Sequence, residues 1–303
     1  RNDSWMIGAL IFANIVQAIA FAFSRPANKA IITELVEKDE LVLYNSRLEL
    51  VLQVVSVSSP VLSFLVLQFA SLHLTLLLDA LTFFIAFVLV ALLPKEEPMV
   101  QDKKPFTGKD IFADIKDSLH YIWHQQEIFF LLLVASSVNF FFAAFEFLLP
   151  FSNKLYGVEG AYATILTMGA IGSIIGALIA NKFKSSMNTL LFLLILTGVG
   201  VFMMGLPLAT FLSFSGNLVC ELFMTIFNIH FFTRVQTKVE SEFLGRVLST
   251  IFTLAILFMP IAKGFMTVLP SVHLSSFLII GSGVIILSCI SFIYVRTHFE
   301  KET

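Results

Sequence analysis

Ten strongly polar residues lie deep inside apolar stretches of this chain: Asn14, Gln17, Gln53, Asp79, Asn139, Glu146, Asn217, Glu221, Asn228 and Lys263. In hydrocarbon such groups are expensive, so their placement points to sites for ions, protons or polar ligands. Seven of the ten fall in just three stretches: Asn14 and Gln17, then Asn139 and Glu146, then Asn217, Glu221 and Asn228. At helical spacing Asn217, Glu221 and Asn228 share an arc of roughly 40°, Asn139 and Glu146 lie about 20° apart, and Asn14 and Gln17 about 60°. Each stretch therefore carries one wet stripe, and three such stripes would converge on a shared aqueous cavity. The amides would serve equally as interhelical hydrogen bonds. The carboxylates ask for more, because an acid at membrane depth must be neutral or paired with a cation. Glu221 and Glu146 are therefore candidates for holding a proton or a cationic group, with Asp79 a third near the end of its stretch.

The elements that must position these groups follow from the composition. Of 303 residues, 57% are hydrophobic and 13% charged, and mean hydropathy is +0.90. A soluble domain carries roughly 25% charge, and a globule cannot hide this much apolar surface from water. Lipid is the solvent for most of the chain, which excludes a soluble enzyme, a disordered scaffold and a secreted disulfide module. A net charge of -2 provides no basic face for nucleic acid. Cys220 and Cys289 lie in apolar stretches and read as small hydrophobes. The six histidines form no metal spacing, no phosphate loop or nucleophile elbow occurs, and no metal or cofactor is expected.

A bilayer core of about 30 Å needs roughly 20 apolar residues per helix. Nine stretches meet this, at 5–23, 48–69, 74–93, 128–149, 161–180, 189–207, 210–232, 247–268 and 274–295. The expected fold is all-α and integral to the membrane. Sixteen of the 19 Lys and Arg residues fall in one set of connections, which places those loops in the cytoplasm, the first residue outside and the last inside. The long connection 94–127 separates residues 1–93 (three spans) from 128–303 (six). It holds a charged linker, then an amphipathic surface helix with Ile111, Ile115, Leu119 and Ile122 on one face. The polar stretches are the first, fourth and seventh, so the chain reads as three copies of a three-helix unit, an arrangement found in transporters.

Three segments carry a resemblance. Ser24-Arg25-Pro26-Ala27-Asn28-Lys29 through Val36, with Glu40, Leu41 and Asn45, resembles the cytoplasmic loop after the fourth helix in the drug-efflux branch of the major facilitator superfamily, which includes macrolide-efflux and enterobactin-exporter types. Leu78-Asp79-Ala80-Leu81-Thr82-Phe83 is similar to that branch's sixth helix, and Asp117 through Trp123 to the surface helix before its seventh. The resemblance implies that the nine spans correspond to helices four to twelve of a twelve-helix fold, and that the polar spans line the translocation path. It implies a secondary-active, proton-coupled exporter of small amphipathic compounds in the plasma membrane, acting as a monomer. An importer or uniporter of the same fold, or a non-transporting receptor or scaffold, are the competing expectations. The family's antiporter motif in the fifth helix corresponds to Ser56 through Ser63, where Pro60 is kept while Ser59 and Ser63 stand among serines that replace glycines. Its second-half cytoplasmic motif corresponds to Gly176 through Lys184, with Asn181 where an acid is usual, and Gly172 and Gly176 make a small-xxx-small packing stripe.

Overall fold

A computed structural model describes residues 24–92 and 116–298, apart from 34, 70, 118–119, 207–208 and 269–271, together with positions 8, 12, 16, 17 and 20. Among the described residues there is no strand. The long helices are α1 (Leu41–Phe69), α2 (Leu72–Ala91), α3 (Gln126–Leu148), the short α4 (Ser152–Tyr156), α5 (Ala161–Ile179), α6 (Met187–Met204), α7 (Thr210–Lys238), α8 (Ser241–Val268) and α9 (Ser275–His298).

Seven helical stretches among the described residues are long and apolar enough to cross a membrane: His73–Ala91, Gln126–Tyr156, Ala161–Lys182, Met187–Met204, Thr210–Lys238, Phe243–Val268 and Ser275–His298. The protein is a multi-pass helical membrane protein. Two of the nine expected spans are not among the seven. Only five positions of 5–23 are described, all helical. The span 48–69 lies within α1, which starts seven residues earlier than its apolar run. The connection expected over 24–47 is likewise largely helical, at 24–33 and Lys38–Glu40. Hydropathy marks where lipid ends; a backbone can go on pairing its own N–H and C=O groups in water. The same effect carries α7 on to Lys238, beyond the apolar run ending at 232.

Local chemistry sets the breaks. Ser71 accepts from the Leu74 N–H at 3.3 Å and starts α2, and Ser186 accepts from the Thr189 N–H at 3.2 Å and starts α6. Between α4 and α5 the chain turns through Gly157 and Gly160 at φ 64° and 80°, a left-handed conformation that favours glycine.

Packing divides the helices into unequal partners. α7 lies between α5 and α6, α6 packs on α9, and α3 packs on α8 and α9. α1 leans on α5 and α7, and α2 touches α1 with almost every described side chain exposed. Aromatic side chains of α3 build much of the dry core: Phe145 meets Phe142 and Phe277 edge-on, each at 5.9 Å between ring centres.

Candidate functional site

The seam between α5 and α7 is made by small residues. A Cβ on Gly172 would overlap the Leu218 carbonyl, and one on Gly176 the Leu222 carbonyl, so the two backbones meet directly. Gly169 and Ser173, on the same stripe, leave room for two polar side chains from α7. Asn217 is buried, 2% exposed, and its Nδ2 donates to the Ile165 carbonyl at 2.8 Å. Glu221, one turn further along, accepts from the Ser173 hydroxyl at 3.3 Å, and both α7 side chains press on Gly169. Here a carboxyl group, an amide and a hydroxyl occupy one narrow site well inside the helix.

Further carboxylates act on Glu221 across space: Glu146 of α3 and Glu49 of α1. Glu146 pairs with Lys263 of α8 at 3.4 Å, both half-exposed, so two charges inside the spans neutralise each other. Glu49 accepts from Gln53 at 3.2 Å and also acts on Lys29.

A second polar cluster closes the basic side, the end of the helices that bears Lys182, Arg234 and Arg246. Asn45 of α1 donates to Gln236 Oε1 at 2.8 Å and to Thr233 Oγ1 at 3.1 Å, both on α7. Gln236 in turn donates to the Lys29 carbonyl at 2.8 Å, and the Lys29 ammonium lies 3.4 Å from Asn45 Oδ1 and 4.7 Å above the Phe232 ring. Asn45, Thr233 and Gln236 are all buried. Burial holds the Lys29 ammonium below the usual lysine range, with the Glu49 charge opposing that shift.

Beside this clamp, Arg234 pairs with Glu127 of α3 and donates to the Ser185 carbonyl, and Lys238 reaches Glu127 at 3.4 Å. His230 donates from Nε2 to the Ala180 carbonyl at 2.9 Å, which leaves Nδ1 to accept from Ser185 Oγ at 2.7 Å. The turn that carries the Gly176–Lys184 motif is therefore fastened to α7.

The structure brings only part of the expected set together. Asn217 and Glu221 share the α5–α7 seam, and Glu146 reaches Glu221 electrostatically. Asn139 and Asn228 are half-buried. Asp79 is exposed on α2, and Gln17 is exposed on a helical position. Asn14 lies outside the described residues. Ser59, Pro60 and Ser63 are helical within α1, and nothing further is described of their side chains. A cleft of about 390 Å³ beside Glu37, Glu40, Tyr44 and Arg47 contains none of the expected residues. Sequence reasoning missed the roles of Glu49, Thr233, His230 and Gln236. Glu49 had a usable signal, a carboxylate one residue inside an expected span.

Comparison with known proteins supplies the context for this geometry. The chain is 27% identical over 277 residues to macrolide efflux protein A of Enterococcus faecalis, across 85% of this chain and 80% of that protein. It is equally similar to macrolide efflux protein A of Streptococcus pyogenes, across 85% of this chain and 64% of the relative, so it spans less than two thirds of that protein's length. No solved structure matches the chain significantly. The family model described as Major Facilitator Superfamily matches residues 3–262. With that match over most of a chain built of membrane-length helices, the chain belongs to the Major Facilitator Superfamily, a family of transporters rather than enzymes.

Proposed function

We propose that the protein is a secondary-active exporter of small amphipathic compounds, driven by proton antiport, in which Glu221 carries the proton. The observation behind this is a carboxyl group in the α5–α7 seam, beside Asn217 and Ser173 and within electrostatic reach of Glu146 and Glu49. A carboxylate in such surroundings is costly unless it is protonated or paired, so its charge state is tied to whichever side of the membrane supplies water and protons. The similarity to two macrolide efflux proteins supports the outward direction and an amphipathic substrate class.

In this reading the basic side is cytoplasmic, the membrane is the plasma membrane, and the monomer is the working unit. The spans correspond to helices four to twelve of the twelve-helix fold. Residues 1–93 are the remainder of the N-terminal bundle, 94–127 the linker, and 128–303 the C-terminal six-helix bundle. Access alternates by rocking of the bundles, and the Asn45–Gln236 clamp is the cytoplasmic closure that opens to admit substrate. Asn139 and Asn228 are the amides that offer hydrogen bonds to substrate; Asn14 and Gln17 are assigned to the same cavity. Asp79 is a subsidiary coupling candidate, and Ser59, Pro60 and Ser63 keep the close helix approach of the antiporter motif. The test is Glu221→Gln in the full-length protein reconstituted in vesicles under an imposed pH gradient. Export that depends on the gradient is expected to be lost; wild-type pH dependence in the variant overturns the reading.

A further inference from the structure

Asn217 presents a buried acceptor that no described residue serves. Its amide orientation is set by the Nδ2–Ile165 hydrogen bond, since the flipped amide would bring two acceptor oxygens together. The remaining atom, Oδ1, is buried without a hydrogen-bond partner among the described residues. Buried acceptors are nearly always paired, so Oδ1 is available to a donor. Ile165 lies toward the N-terminal end of α5 and Ser173 two turns beyond it, and α7 runs alongside with Asn217 beside Ile165 and Glu221 beside Ser173. Nδ2 is also the Asn217 atom nearest Gly169, and Glu221 Cγ reaches the same glycine from one turn further along α7, so the two side chains are neighbours on one helix face.

Glu221 can supply that donor in one of its two forms. As a carboxylate it only accepts, and the Ser173 hydroxyl serves it at 3.3 Å. As a neutral acid it carries one O–H. We propose that Asn217 Oδ1 is the acceptor for the proton carried by Glu221, so that the neutral carboxyl donates to Asn217 and the carboxylate left after proton release keeps the Ser173 hydroxyl as its donor. The proton leaves to water, no other bond changes, and the site has a distinct partner for each charge state. Asn217 is then a positioning residue rather than a substrate ligand. This rests on Glu221 being the proton carrier.

Few other titratable groups face Glu221. α5 carries no ionisable residue but Tyr162 at its far end, and α6 carries none. Glu146 of α3, paired with Lys263 of α8, and Glu49 of α1 act on it from a distance, and Cys220 is its neighbour on α7. None of them is a hydrogen-bond partner of Asn217 Oδ1.

The test uses the full-length transporter with Asn217→Leu, Ser173→Ala and Glu221→Gln. Infrared difference spectra across a pH titration report the C=O stretch of the protonated carboxyl, identified by its loss in Glu221→Gln. In Asn217→Leu that band is expected at higher wavenumber, the direction of a carboxyl that has lost its acceptor. The midpoint of pH-dependent export is expected to fall by about one pH unit in Asn217→Leu and to rise in Ser173→Ala, since one hydrogen bond is worth about that much. Opposite shifts from neighbouring residues are not produced by general loosening of the seam. An unmoved band, or midpoints that shift in the same direction, overturns the assignment. So does a melting temperature that sodium raises in the wild type but not in Asn217→Leu, which makes Oδ1 a cation ligand. If Asn217→Leu fails to fold, Ser173→Ala alone decides, and an unmoved midpoint there overturns it. Wild-type pH dependence in Glu221→Gln instead removes the underlying proton reading.

Discussion

Two polar clusters along α7 answer the same problem in opposite ways. At the basic side, Asn45, Thr233, Gln236 and Lys29 form a closed circuit in which each buried amide finds a partner. Deeper in, Asn217 and Glu221 are left with one buried acceptor unmet. A completed circuit holds two parts of the chain in one arrangement, because opening it strands several groups at once. An incomplete one is responsive, because a single added proton changes its pairing. The contrast teaches that hydrogen-bond completeness, rather than polarity, separates a fastening from a sensor in this molecule.

The largest effect is expected where the deep cluster depends on backbone contact. Gly172→Val forces a side chain into the Leu218 carbonyl and should separate α5 from α7. Overpacking of this kind costs about 1–3 kcal/mol or more. The measurement is the melting temperature in detergent; an unchanged value means that the seam is not rigid enough to define the Asn217 site.

Next comes the clamp. Asn45→Leu leaves Gln236 Oε1 without its donor, and Gln236→Leu leaves Asn45 Nδ2 with Thr233 as its one remaining acceptor, at about 1–3 kcal/mol for each buried polar group left unmet. Both variants should populate the form open at the basic side, read as increased labelling of a cysteine placed at Ile229, buried one turn from Thr233 on the same face, by a water-soluble reagent added from that side. The double variant should cost less than the sum of the singles. Strict additivity would mean that the two amides do not act together.

The smallest effect sharpens the comparison through pH. Lys29 binds its proton more weakly when buried in the clamp than in water. The closed clamp therefore binds fewer protons than the open one, and rising pH favours closure from the lowered value up to the ordinary lysine value, above which the gain is complete. Lys29→Met should raise labelling of the Ile229 cysteine at every pH, because Asn45 Oδ1 loses its donor, and should abolish the alkaline protection. Persistent alkaline protection in the variant assigns it to another group.

Much of the fold was legible because lipid imposes a length. The apolar runs 161–180 and 189–207 correspond to Ala161–Ile179 and Met187–Met204 within three residues at each end. The rim was less legible, since hydropathy cannot see that α1 begins at Leu41 or that α7 continues to Lys238. The same divide holds for the site. Asn217 and Glu221 were readable because polar residues in hydrocarbon are conspicuous. Thr233 and Gln236 were not, because polar residues near water are ordinary and their partner, Asn45, lies about 190 positions away in the chain. Lys29 and Asn45 entered only as parts of a family pattern. Nor could any periodicity show that Asn217 turns into the α5 seam, since that depends on the glycines of another helix.

The bracket around Arg234 has a mechanical meaning. One guanidinium joins the base of α3 to the α5–α6 turn, while His230 pins the same turn from a second direction. A tilt imposed on α7 must drag α3 and that hinge-like corner with it. The three elements are thus coupled at that end, and a bend between them would have to break one of these contacts.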